Sequence, residues 1–373
     1  MKYFFILLFS FLVIGTQAQK SLNGKIIVAG TNEPIPNASV FLSNTSVGAI
    51  SKENGQFTIQ NFPNGRYDLV VTILGYETYT AEINSNNLPE NLVIVLHPKP
   101  KELEEVIVGN YDKNGWEQWG EFFMDMLIGK TPNSLNCMLL NKDVVKFKFN
   151  KKENVLRAFA TEPLQISNNA LGYDLIYELK GFENNYNTNV FYYQGFPLFI
   201  EKIPKNARQL NRWLTRRAET YDGSLMHFMR SLYRNTLVQD GFEIRRIKKQ
   251  RFEDKTIRIN GVNPVREREI LIDIPLTGDS IAFAIDSFSV GLQFPDYLRV
   301  VYKHKLLPSM YVEGHRNVKI GQPITSRLIM PDSNKVLSVF ANGSYFFGKD
   351  ILTVDYWAWS EKLSNLLPLD YRR

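Results

Sequence analysis

Between residues 19 and 97 short apolar runs return about every ten residues, a spacing that suits a strand plus a turn and leaves no room for a packed helix. Six runs carry the pattern: Lys25–Ala29, Ala38–Ser43, Gln56–Ile59, Tyr67–Ile73, Tyr76–Ile83 and Leu92–Leu96. Turn chemistry separates them, at Thr31-Asn32-Glu33-Pro34, Glu53-Asn54-Gly55 and Pro63-Asn64-Gly65. Asn-Gly accepts positive φ at little cost, which tight hairpins require. The pattern predicts an all-β sandwich. Tyr67–Ile73 has a continuous apolar middle and is expected to be a central strand covered on both faces.

Upstream lies a different signal. Lys2 is followed by Tyr3–Gly15, apolar almost throughout, and then by Thr16-Gln17-Ala18. The apolar stretch falls short of the ~20 residues that a bilayer demands, and small residues precede the expected cut. Residues 1–18 are therefore expected to be a secretory signal peptide cleaved after Ala18. No cysteine follows to take a lipid anchor, and no later stretch is long and apolar enough to predict a transmembrane helix. The expected location is the periplasm or the outer-membrane surface.

Four motifs within the first region, taken in order, carry a resemblance. They are Pro34-Ile35-Pro36-Asn37-Ala38-Ser39-Val40, Asn54-Gly55-Gln56-Phe57, Pro63-Asn64-Gly65-Arg66-Tyr67-Asp68-Leu69 and Leu74-Gly75-Tyr76. The region resembles the carboxypeptidase regulatory-like domain in its Bacteroidetes form. That resemblance implies a transthyretin-like fold and a non-catalytic role, because in zinc carboxypeptidases the module accompanies a separate catalytic domain. Where the family often carries an acidic residue in the first strand and a Thr-Asp pair before the hairpin glycine, this chain has Val28 and Ser51-Lys52.

Pro98-Lys99-Pro100-Lys101 breaks the strand pattern and opens a linker, 98–114. Inside it, Leu103-Glu104-Glu105-Val106-Ile107-Val108-Gly109 resembles the segment that follows this module in TonB-dependent receptors. The resemblance implies strand addition to a partner through Leu103, Glu105, Val106 and Val108; the other reading is one more strand of the sandwich. A receptor barrel needs far more chain than remains.

Residues 115–373 are expected to form a larger α+β domain, making the chain mainly β overall. Gly115–Ile128 predicts an amphipathic helix, with Asn114 placed to cap it, Trp116, Trp119, Phe123 and Leu127 on one face and Gly129 placed to end it. Glu117, Glu121 and Asp125 fall four apart on the other face and read as a solvated face, because no histidine joins them; the other reading is a carboxylate metal or acid/base stripe. A second helix is predicted over Gly223–Val238, with Leu225, Phe228, Met229 and Leu232 inward and Arg230 and Arg234 outward. A last one is predicted over Ser360–Leu367. Strands are expected between them. Leu171-Gly172-Tyr173, Tyr221-Asp222-Gly223-Ser224 and the tail Leu366–Tyr371 resemble exported Bacteroidetes proteins that carry the same N-terminal module.

The chemistry-bearing residues are sparse. His97, His227, His304 and His315 form no metal-ligand spacing, and Cys137 stands alone, so a disulfide framework and a Cys-rich zinc site are excluded. His227 reads as a structural histidine on its helix and Cys137 as a small buried hydrophobe. No phosphate loop and no nucleophile elbow occur. No catalytic, metal-binding or cofactor-binding residues are assigned, and no cofactor is expected. Charge gives the one candidate ligand surface. Between residues 201 and 260 there are 15 Lys/Arg and 7 Asp/Glu, dominated by Arg216, Arg217, Arg245, Arg246, Lys248, Lys249 and Arg251. In an exported chain this patch points to an anionic surface or a glycan, or to an envelope protein, and away from nucleic acid; the other reading is a solvated face. The leading expectation is a non-enzymatic binding or scaffolding protein. The alternatives are an exported hydrolase with its site in 115–373 and an accessory partner of a TonB-type uptake system. Oligomeric state is not legible.

Overall fold

The computed structural model describes residues 20–99 and 111–373, apart from 257, 259–262 and 347. The predicted signal peptide and the segment from Leu103 to Val108 lie outside the described residues.

The first region builds seven strands: β1 (Leu22–Val28), β2 (Ser39–Leu42), β3 (Gly48–Ile50), β4 (Gln56–Ile59), β5 (Arg66–Thr72), β6 (Tyr79–Asn84) and β7 (Leu92–Leu96). They form two sheets, ordered β4-β1-β7 and β3-β2-β5-β6, with only β1 and β7 parallel. Ile26, Phe57, Ile59 and Ile94 from one sheet meet Val40, Leu69, Val71 and Ile83 from the other. Gly55 shows why the turn needs glycine: its φ is +75° and a Cβ there would lie 2.5 Å from the Ile26 carbonyl oxygen. Ser51, one of the departures from the family pattern, is buried; its Oγ accepts from the Ala38 N–H and donates to the Ile35 carbonyl. β5 is internal, as expected, and Leu69, Val70 and Val71 are all fully buried. The three-residue β3 is too short to stand out in the sequence.

Two further cores follow. The first begins with α1 (Gly115–Leu127), which buries Phe123 and Leu127. Its expected cap is not made: the Asn114 side chain makes no capping bond, and the Gly115 N–H donates to the Asp112 carbonyl. Gly129, at φ +95°, ends the helix as expected. Strands β8 (Cys137–Leu139), β9 (Val145–Asn150), β10 (Val155–Ala160), β11 (Leu164–Asn168), β12 (Tyr173–Asn185) and β13 (Val190–Glu201) form one sheet. The long β12 pairs along one edge with β11 and then β10, and along the other with β13. An unforeseen helix, α2 (Ala207–Tyr221), packs here. It buries only Trp213, Arg217 and Tyr221, a stripe with an arginine at its centre, so its apolar face is invisible to a hydrophobic-periodicity reading. Asn206 caps it, accepting from the Gln209 N–H at 2.9 Å.

The second core surrounds α3 (Leu225–Tyr233), capped by Ser224, whose Oγ accepts from the His227 N–H. One sheet is ordered β15-β14-β18-β19-β22 (β14 Phe242–Glu253, β15 Val265–Leu276, β18 Tyr297–Leu306, β19 Pro323–Ile329, β22 Leu352–Asp355). The other is β16-β17-β20-β21 (β16 Ala282–Ala284, β17 Ser289–Leu292, β20 Leu337–Phe340, β21 Tyr345–Phe346). α3 stops earlier than expected because Asn235 takes a left-handed φ of +55° and Asp240 gathers Ser231 Oγ, Thr236 Oγ1 and Arg234. Arg230, expected outside, is buried; its guanidinium donates to the carbonyls of Asn342, Leu369 and Tyr371. Two short helices complete the region, α4 (Ser309–Glu313) and α5 (Tyr356–Ser360). The expected final helix is not continuous: α5 ends at Ser360, and only Leu363–Asn365 make a further 3₁₀ turn. The Ser364 N–H bonds the Ile128 carbonyl instead of its own helix.

The C-terminal segment touches all three cores. Tyr356 and Trp357 belong to the α3 core, Leu363 and Leu367 to the α1 core, and Leu369 packs against the first module. The Leu369 N–H donates to the Asn44 carbonyl, and the Asp370 carboxylate accepts from the Ser46 N–H. Beside this contact the Asn44 N–H reaches Pro197 O and the Phe199 N–H reaches Thr45 O, so β13 runs against the module.

A candidate binding cleft

The structure scatters the basic residues singled out above. Arg217 is buried, donates to the Leu171 and Gly172 carbonyls, pairs with Glu201 and lies 3.9 Å over the Tyr173 ring. Arg216 is exposed on α2 beside Glu219. The other five lie on β14: Arg245 pairs with Glu243 and Asp273, Arg246 with Asp296, and Lys249 and Arg251 both face Glu267 on β15. Lys248 is exposed. Cross-strand carboxylates thus accompany most of this cationic run. Of the two structural readings, Cys137 is buried, with its thiol pushed up to about 12 by burial. His227 is held near 4, chiefly by burial; its Nδ1 accepts from the Gly223 N–H while its ring stacks on Tyr221.

The groups with perturbed chemistry gather elsewhere, in a cleft of about 430 Å³ between the α1 and α3 cores. Four stretches of chain line it: the turn after α1 at Asn133, the end of α2 from Arg216 to Ser224, the end of β18 at His304 and Lys305, and α5 with the turn beyond it. Lys305 extends its ammonium to the carbonyls of Glu219 and Asp222, at the C-terminal end of α2, where a cation satisfies carbonyls that have no helical partner. Burial lowers its pKa. Glu361 accepts from the Leu225 N–H at 3.0 Å. Burial lifts its carboxyl to about 7, against the opposing pull of that bond and of Lys305. Asp222 is raised by burial although Arg373 holds its Oδ2 at 2.8 Å; its Oδ1 is buried with no partner. Asn133 bridges Thr220 Oγ1 and Asn365 Oδ1, tying the cleft floor together. Trp359 stands at the wall, edge-on to Tyr311 and tilted against Tyr356.

Sequence reading found none of this set. Lys305 and Glu361 lie far apart in the chain and belong to no motif. Tyr221-Asp222-Gly223-Ser224 marks the place as a resemblance without chemistry, and of the basic patch only Arg216 reaches the cleft, where His304 also lies. Among the described residues no cluster of three or more His, Cys, Asp or Glu is placed to hold a metal ion, and no helix is long and apolar enough to cross a membrane.

Residues 22–108 match the family model of the CarboxypepD_reg-like domain. The match confirms the module expected from the four motifs and runs past His97 into the segment read above as a linker. Curated proteins give no match. Among solved structures, a chain of a type II cohesin–X-dockerin complex from Acetivibrio cellulolyticus is 22% identical over 21% of this chain and 57% of its own length, with a TM-score of 0.19. A DUF3823 family protein from Bacteroides ovatus is 12% identical over 87% of this chain and all of its own length, with a TM-score of 0.18. Both overlaps are too slight to argue a shared architecture.

Proposed function

We propose that this chain is an exported, non-enzymatic binding protein of the periplasm or outer-membrane surface. On this reading the N-terminal module is a fixed buttress, and the cleft between the two larger cores is the ligand seat. The observation that carries it is how the ionisable groups of the cleft are used. Lys305 closes the end of α2, Asp222 is tethered by Arg373, and Glu361 anchors the start of α3. Groups committed to positioning make a preformed pocket, the form that binding sites usually take. The regulatory-like module in residues 22–108 and the signal-peptide pattern in residues 1–18 support the same reading.

One observation favours the hydrolase alternative: a carboxyl near neutrality in a cleft has the protonation behaviour of a general acid. Chromogenic glycoside, ester and peptide substrates separate the two. The binding reading expects no turnover by the purified chain, whereas turnover that disappears in Glu361→Gln establishes the hydrolase. Export has its own test, since the mature protein should begin at Gln19 in the envelope fraction. An intact Met1 in the cytoplasm contradicts it.

A further inference from the structure

We propose that the cleft seats an uncharged, hydroxyl-rich ligand, a neutral carbohydrate. The proposal rests on the binding reading above and adds the chemical class of the ligand.

The first ground is a pair of unanswered polar atoms. Ser360 is only 4% exposed, lines the cleft, and its Oγ has no hydrogen-bond partner. Asp222 Oδ1, on the same wall system, is likewise buried and unpartnered. Leaving such an atom unpaired costs free energy that a partner would recover. A hydroxyl has the chemistry that either atom lacks, since it can donate to a carboxylate oxygen and either donate to or accept from a serine Oγ.

The second ground is charge. Arg216 is matched by Glu219, Asp222 by Arg373, and the Lys305 ammonium is directed at two backbone carbonyls. The Glu361 carboxyl titrates near neutrality. Each of these groups is already engaged, so a charged ligand would shed its water against partners that must first be displaced. The third ground is Trp359. Its ring is half-buried and braced at 5.3 Å and 5.6 Å by Tyr311 and Tyr356, which makes a rigid apolar plate beside the polar floor. An apolar face next to convergent hydrogen-bonding groups suits a pyranose, whose C–H face and hydroxyl edge point in different directions.

The test uses the full chain, with maltotriose, cellotriose, mannotriose and N,N′-diacetylchitobiose as probes and trigalacturonate as the anionic comparator. Tryptophan fluorescence and calorimetry follow binding. At least one neutral probe should saturate the protein at millimolar concentration or below, with little dependence on salt. Trp359→Ala should weaken it about tenfold, while Trp359→Tyr, which keeps an aromatic plate, should lose less. Ser360→Ala should weaken it several-fold. Thermal midpoints of the variants report that the fold is kept. No saturable binding of any neutral probe, binding indifferent to Trp359→Ala, or salt-sensitive preference for trigalacturonate would overturn the ligand class and leave the binding reading standing. Hydrolysis of a bound probe would do the reverse.

Discussion

The N-terminal module and the rest of the chain solve the same problem differently. In the module every strand pairs with another strand of residues 22–96, and its core is made almost wholly of its own side chains. In residues 115–373 the two cores are interleaved. The α1 core is completed from the far end of the chain by Leu363 and Leu367, and the α3 core takes Tyr356 and Trp357 from the same stretch. Short-range pairing leaves a local imprint on sequence, whereas long-range closure leaves very little. The cleft exists because of the second arrangement, being framed where α2, β18 and the C-terminal segment converge.

The largest effect should come from breaking the self-contained half. Phe57→Ala, at a site 2% exposed in the module core, should cost about 3–5 kcal/mol. By limited proteolysis the loss should appear within residues 20–99 while α1 and β12 stay protected. Simultaneous cleavage throughout would erase the contrast. A smaller effect probes the interleaved half through pH. Glu361 has a folded-state value of about 7 against an ordinary 4.5, so protonation favours the folded chain. Its contribution is complete below pH 4.5 and is lost as pH rises through 7. The change is at most a few kcal/mol, since part of the residue still meets water. Denaturant titrations should show Glu361→Gln flattening this slope; an unchanged slope would remove Glu361 as its source. The smallest effect is at the surface. Arg251→Ala, on an exposed ion pair with Glu267, should shift stability by less than about 0.5 kcal/mol, and a large shift would mean that the β14–β15 ribbon is covered.

What could be read from sequence follows the same division. The limits of β4 and β7 are visible to the residue, because an alternating run (QFTI) and a short continuous apolar run (LVIVL), each bounded by polar or turn residues, are local codes. Helix α1 was visible too, through its aromatic stripe. Helix α2 was not, because Arg217 stands where the pattern wants an apolar residue and is neutralised only by Glu201 and by carbonyls some 45 residues away. Arg230 was assigned to the outside because its three acceptors lie more than 100 residues downstream. The final helix failed for a related reason: Ser364 bonds to Ile128 rather than within its own segment. The cleft inherits this invisibility, since each of its walls comes from a different stretch of chain.

The most direct measurement is hydrogen exchange on the full-length chain carrying Arg230→Met. That variant leaves the carbonyls of Asn342, Leu369 and Tyr371 without their donor. Interleaving predicts faster exchange in both halves of residues 115–373, at β12–β13 as well as at β14–β18, with the β4-β1-β7 sheet of the module unchanged. Faster exchange confined to α3 would contradict it, as would loss of protection that spreads through the module core.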